Sequence, residues 1–163
     1  MTDNLRITGT IYADLSNFSS PKVLSLLPFE DDNNIKPSVL DSGNNKYGAY
    51  YNICAASATE VCDNKNREEE NITQDICPSG WRIPTIDELS SIAGANNIER
   101  NRVLAGYYDG RIMQDLDWSD SWWSATSEGY NQQSLYATEY YDSWDNDLGA
   151  RGLGESIRCV FNK

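Results

Sequence analysis

Ten of the fifteen Trp and Tyr residues of this chain fall in one 38-residue stretch: Tyr107, Tyr108, Trp118, Trp122, Trp123, Tyr130, Tyr136, Tyr140, Tyr141 and Trp144. Their neighbours are Ser, Asp, Asn and Gly rather than Leu, Ile or Val. A segment so poor in aliphatic residues must build its core from aromatic rings, and each buried Tyr hydroxyl or Trp N–H then needs a hydrogen-bond partner. The same mixture also suits a recognition surface. Tyr and Trp give stiff contact area at low entropic cost, while Ser, Asn and Gly supply adaptable hydrogen bonds. Trp81, Trp122 and Trp123 are expected inside. For the polar-flanked Tyr136, Tyr140 and Tyr141 outward display and packing are equally open.

The hydrophobic fraction of 39% is low for a packed globule, which again makes aromatic rings the main core material. Its 163 residues suit a single domain, 1–163, large enough to bury a core. With 13 Lys plus Arg against 25 Asp plus Glu, the net charge is -12, which excludes nucleic acid as a partner because phosphates need a basic face. Between residues 109 and 155 ten acids stand against Arg111 and Arg151 alone, a balance that would also repel an anionic membrane. Histidine is absent, which removes the commonest general base and zinc ligand together. The four cysteines, Cys54, Cys62, Cys77 and Cys159, permit three disulfide connectivities. None forms a CxxC pair, so two disulfides or buried free thiols are expected rather than zinc. The preferred pairs are Cys54 with Cys62 and Cys77 with Cys159, the second restricting the unfolded chain more. Such bonds imply oxidising surroundings. The polar opening MTDNLRITGT is neither a signal peptide nor a membrane span, so no direct membrane insertion is expected. A targeting segment is expected upstream.

Residues 1–45, punctuated by Pro21, Pro28 and Pro37, suggest one or two short strands in a loop-rich part. The run KYGAYYNICAAS from Lys46 looks like a strand entering a small-residue turn, and the charged residues 60–75 a solvated loop. Thr85-Ile86-Asp87-Glu88 is a capping box preceded by Pro84, and Leu89, Ile92 and Ala93 continue an apolar face until Gly94. A second helix is expected from 97 to about 105. Residues 107–163 suggest short strands joined by polar loops, ending in an alternating strand over 156–161.

The run Cys77-Pro-Ser-Gly-Trp-Arg-Ile-Pro-Thr85 resembles the C-type-lectin-like folds that include the formylglycine-generating enzyme family, where a helix follows a similar R-[LI]-P-T-x-x-E run. It is more closely similar to the Fibrobacter-type major paralogous domain, a secreted bacterial module. Five blocks match in order: Met1-Thr-Asp-Asn-Leu5, Lys46-Tyr-Gly-Ala-Tyr50, residues 77–89, Trp122-Trp-Ser-Ala-Thr126, and residues 151–159 with their R-x-x-G-x-S-[VI]-R-C pattern. The resemblance implies an α+β, C-type-lectin-like fold: one or two helices, small twisted and mostly antiparallel sheets, and long loops. The C-terminal pattern also resembles the variable proteins of diversity-generating retroelements, which randomise adenine-containing codons near the 3' end of a gene. By that resemblance residues 107–155 form a variable ligand-binding region on a fixed frame. Trp122, Trp123, Gln132, Gln133, Glu139 and Trp144 cannot arise from such codons and would be frame. The displayed face would comprise Tyr107, Tyr108, Tyr130, Asn131, Tyr136, Thr138, Tyr140, Tyr141, Asp142, Asp145, Asn146, Asp147, Ala150 and Leu153. The implied function is recognition of a protein or glycan at an extracellular or cell surface. The alternatives are a calcium-dependent sugar-binding lectin and a structural module of a bacterial surface protein. The chain carries no signal for an oligomeric state.

Enzyme chemistry is not expected. The activity of the formylglycine-generating family resembles a two-cysteine copper chemistry, and Cys159 has no neighbouring cysteine here. No motif fixes two carboxylates together for glycoside hydrolysis. Trp144-Asp-Asn-Asp147 is similar to the Trp-Asn-Asp motif with which sugar-binding C-type lectins hold calcium, but the polar order differs and the companion Glu-Pro-Asn or Gln-Pro-Asp triplet is absent. Calcium takes six to eight oxygen ligands, so this incomplete set suggests an Asx-rich turn and no resident cofactor. A chelator is accordingly expected to leave the melting temperature unchanged in scanning calorimetry; a clear drop on chelation would reveal a structural ion.

Overall fold

The computed structural model describes residues 39–42, 46–58, 71–94, 103–128, 131–138, 145–149 and 152–161, with the backbone alone described at 41, 93, 94, 131 and 145–149. In chain order the elements are β1 (Val39–Asp41), β2 (Ala49–Tyr51), α1 (Ile53–Ala56), β3 (Trp81–Arg82), α2 (Ile86–Gly94), β4 (Tyr107–Tyr108), β5 (Met113–Gln114), β6 (Ser119–Glu128), β7 (Asn131–Thr138), β8 (Asp145–Gly149) and β9 (Val160–Phe161). Among the described residues this is an α+β arrangement. Its two helices accompany four small antiparallel sheets, β1-β2, β3-β9, β4-β5 and β6-β7-β8.

The organising element is β6, because successive strand residues face opposite sides and here two of them are consecutive tryptophans. Trp122 lies with Ile86, Leu89 and Leu135 in a cluster beneath α2. Trp123 turns the other way, into the main core with Ile53, Ile76, Ile83, Ile157 and the Cys77–Cys159 disulfide. Both rings are buried, and the Trp123 indole N–H donates to the Tyr51 carbonyl at 2.6 Å, the partner that a buried indole requires. On the other side the Arg158 guanidinium stacks 3.8 Å from the Trp122 ring centroid and lies 3.8 Å from the buried Asp120 carboxylate. Trp81 is only half-buried, packed against the main core and edge-on to Phe161.

Residues 154–156 tie the small sheets together. Glu155 exchanges backbone hydrogen bonds with Tyr51 at 2.9 and 3.0 Å, and Gly154 exchanges them with Tyr108 at 2.8 Å each way. Ser156 accepts from Trp123 N and donates to Ser121 O, both at 3.1 Å. Three residues thereby join β2, β4 and β6. The disulfide that follows closes 82 residues of chain, a constraint worth on the order of 4–5 kcal/mol against the unfolded state in a chain-entropy account. Cys54 is buried and also disulfide-bonded; Cys62 lies outside the described residues.

Several expectations need correction. Residues 103–105 are not helical, because their carbonyls serve other segments: Leu104 O accepts from Asp117 N, and Ala105 O from the Tyr50 hydroxyl at 2.5 Å. Burial, with the Asp120 charge nearby, raises that phenol's pKa well above its ordinary value. Residues 97–102 of the proposed helix lie outside the described residues. The C-terminal strand shrinks to Val160–Phe161, since residues 154–156 bridge several partners rather than one. The small-residue turn after Tyr51 is a helical turn, α1, capped by the Asn52 side chain accepting from Ala55 N at 3.0 Å. Asp145, Asn146 and Asp147 belong to strand β8 in register with β7, not to an Asx turn. Residues 107–163 also contain longer strands than expected, β6 having ten residues and β7 eight. Between Trp123 and Ser127 the β6-β7 register slips, and buried Gln132 fills the bulge by donating to Ser124 O and Thr126 O at 2.8 and 2.7 Å.

The capping box forms as its spacing predicts. Glu88 Oε2 accepts from Thr85 N at 2.9 Å, and Thr85 Oγ1 accepts from Glu88 N at 3.3 Å. The Arg82 guanidinium grips both Glu88 oxygens at 2.5 and 2.6 Å. That contact, aided by the Thr85 N–H, lowers the Glu88 pKa to about 2 from an ordinary 4.5. A depressed carboxylate stabilises the fold above its unfolded pKa, and the contribution disappears as pH falls from about 4.5 toward 2. The pair is 34% and 41% exposed, so solvent screening holds its worth to on the order of 1 kcal/mol. Glu88→Gln should therefore lose about 1 kcal/mol at neutral pH in urea unfolding, and the gap from the parent should narrow below about pH 4.5 and close near pH 2. A gap that persists at low pH would contradict this linkage.

Candidate ligand-binding face

Within the proposed variable region the described residues build a ridge from the β4-β5 hairpin and the turn that leads into β6. Three aspartates shape it. Asp109 accepts from Arg111 N at 2.8 Å, Ile112 N at 2.9 Å and the Gln114 side-chain amide at 2.7 Å, closing the hairpin loop. Those hydrogen bonds, the Ile112 N–H foremost, hold its carboxyl below the usual range. Asp115 and Asp117 take left-handed backbone angles, φ +53° and +63°, which Asp tolerates better than most residues with a side chain. The Asp115 carbonyl accepts from Trp118 N at 2.9 Å and Ser119 N at 3.0 Å. Its carboxylate accepts from the Tyr136 hydroxyl at 3.1 Å, joining the turn to β7.

Asp117 is clamped from a segment seventy residues earlier. Lys46 Nζ reaches Oδ1 at 2.5 Å, and the Tyr47 hydroxyl donates to Oδ2 at 2.8 Å. Lys46 also lies 4.8 Å from the Tyr47 ring centroid. The Lys46 contact, followed by that of Tyr47, keeps the Asp117 carboxyl below its usual range, and Asp117, followed by Tyr47, raises the Lys46 ammonium.

With the carboxylates turned to these internal tasks, the ridge shows water its apolar side chains. Ile112 is 60% exposed, Leu116 39% and Trp118 59%. The sequence places Trp118 in the aromatic stretch, but none of the three is among the display residues that the resemblance implies. Of the proposed display residues, Tyr107, Tyr108, Tyr136, Thr138 and Leu153 are half-buried. Tyr108 and Leu153 also brace core clusters. Tyr136 touches the ridge directly. Backbone register sets Asp145 opposite Tyr136, Asn146 opposite Leu135 and Asp147 opposite Ser134. Asn131 pairs with Glu128. Tyr130, Tyr140, Tyr141, Asp142 and Ala150 lie outside the described residues, as do Glu139 and Trp144 of the frame. Among the described residues no group of three or more Cys, Asp or Glu side chains is gathered to hold a metal, and no helix is long and apolar enough to cross a membrane.

The chain matches no family model, no curated protein and no solved structure.

Gly106 sets how closely the hairpin and the turn approach each other. Its φ is +63°, and a Cβ there would collide with the Gln114 carbonyl oxygen and press on the Asp115 and Leu116 backbone. Its own N–H donates to Ser119 O at 2.7 Å. Gly106→Ala should cost roughly 2–5 kcal/mol from backbone strain and overpacking together, measured by urea unfolding. A loss below about 1 kcal/mol would mean that the hairpin relaxes without penalty.

Proposed function

We propose that this chain is a ligand-recognition domain of C-type-lectin-like type, similar to the variable proteins of diversity-generating retroelements. Its target would be a protein or glycan at a cell surface. The observation that carries this reading is the ridge. Three large apolar side chains are exposed on a hairpin and its following turn, which three aspartates, two tyrosines and a lysine brace. Exposed apolar side chains on a rigid support, bordered by polar groups, are the usual anchors of protein interfaces. The distribution of frame and display residues supports the same reading. Trp122, Trp123 and Gln132, assigned to the frame by codon logic, are buried, whereas Tyr107, Tyr136 and Thr138, like Gln133 of the frame, are half-buried. The two disulfide-bonded sites, Cys77–Cys159 and Cys54, support an oxidising, extracellular setting.

The chain's negative charge favours targets that carry Lys or Arg around an apolar contact. Peptides selected against the folded domain from a displayed random library provide the probe. Trp118→Ala should weaken a selected peptide at least about tenfold with the melting temperature unchanged, the size of loss typical of an interface anchor. Raising salt from about 50 to about 500 mM should weaken binding further by screening. Selected ligands indifferent to both Trp118→Ala and Leu116→Ala would place recognition away from the ridge and end this reading.

A further inference from the structure

An open groove of about 420 Å³ lies at the far end of β6, where residues 71–79 pass in front of β3 and the start of α2. Ala125 lines it, six residues along β6 from the strand's beginning beside the ridge and so roughly 20 Å away at the ~3.3 Å rise of a strand. That volume is within the range of small-molecule sites, ~300–1,000 Å³. Its floor is apolar, formed by Ile83, Ala125 and the bridged Cys77.

The walls have a different chemistry. Half-buried Trp81 lines the groove together with the amides of Asn71 and Gln74 and the hydroxyls of Thr73 and Ser79, while the Thr85 hydroxyl beside them is held by Glu88. Asn71 is anchored there, its Oδ1 accepting from Ser127 N at 3.1 Å. The two charged groups that border the groove are committed to the fold. Asp75 accepts from Cys77 N at 2.8 Å and Ile83 N at 2.9 Å, and Arg82 is gripped by both Glu88 oxygens. An ion would therefore meet carboxylate and guanidinium groups that already have partners. A purely apolar ligand would strip water from the amides and hydroxyls without replacing their hydrogen bonds. An extended peptide would seek a strand edge, yet β3 is paired to β9 and its Trp81 N–H is turned back onto the Pro78 carbonyl at 2.8 Å. The class that fits has an apolar C–H face for the ring and floor, and a rim of neutral hydroxyls that both donate and accept, as amides and hydroxyls do.

We propose that this groove is a second binding site, for a neutral saccharide, and that it works without a metal ion. It is independent of the ridge and does not rest on the ridge's function.

The test titrates the disulfide-intact domain with glucose, galactose, mannose and N-acetylglucosamine, and with cellobiose, lactose and chitobiose, following backbone amides by NMR in the presence of EDTA. At least one sugar should shift the amides of Thr73, Gln74 and Ser79. Gln74→Ala should weaken it about fivefold, the equivalent of one neutral hydrogen bond. Thr73→Trp should block it. Both positions are exposed, so folding should survive, and the melting temperature checks that. Trp118→Ala should leave the sugar's affinity as it was, which separates this site from the ridge. The proposal is overturned if no sugar moves those amides, or if EDTA abolishes the shifts. It is equally overturned if the groove variants bind as the parent does, or if Trp118→Ala removes binding.

Discussion

The backbone hydrogen bonds of residues 154–156 are the constraint on which the described architecture depends. Two of the three sheets they join, β1-β2 and β4-β5, are two-stranded ribbons, which are marginal in water on their own. By giving Gly154 to Tyr108, Glu155 to Tyr51 and Ser156 to β6, the segment turns separate ribbons into one body. The Cys77–Cys159 bridge then fastens the same stretch to the run that opens β3. A segment with several partners cannot form a regular ladder with any of them, which is why it shows single bridges instead of a strand.

Around that seam the core divides in two because β6 carries adjacent tryptophans. One ring serves α2 and β7, the other the disulfide core. A chain low in aliphatic residues thus gains two packed faces from a single strand; the Tyr51 carbonyl accepts from the Trp123 indole, and the Arg158 guanidinium lies over the Trp122 ring near the Asp120 carboxylate. The bulge filled by Gln132 lets the strand continue toward residues 71–72, where Ala125 O accepts from Ile72 N.

What could be read from residues alone was what depends on near neighbours. The Thr85–Glu88 box needs three residues and forms as expected; the burial of Trp122 and Trp123 follows from their size and from strand alternation. Where distant segments decide the outcome, the sequence was silent or misleading. Residues 103–105 looked helical, but Tyr50 and Asp117 claim their carbonyls. The Asp145–Asp147 run looked like a turn and is a strand because β7 offers it a register. The ridge escaped notice because its supports, Lys46 and Tyr47, come from a remote part of the chain, and only their grip on Asp117 reveals Leu116 and Trp118 as presented rather than packed.

The clamp on Asp117 divides the work between stem and tip. Stiffness resides in carboxylates and their donors, while chemical identity at the solvent boundary resides in Ile112, Leu116 and Trp118, whose side chains the clamp does not use. Such a partition leaves the hydrogen bonds of the stem intact whichever side chains occupy those outermost positions.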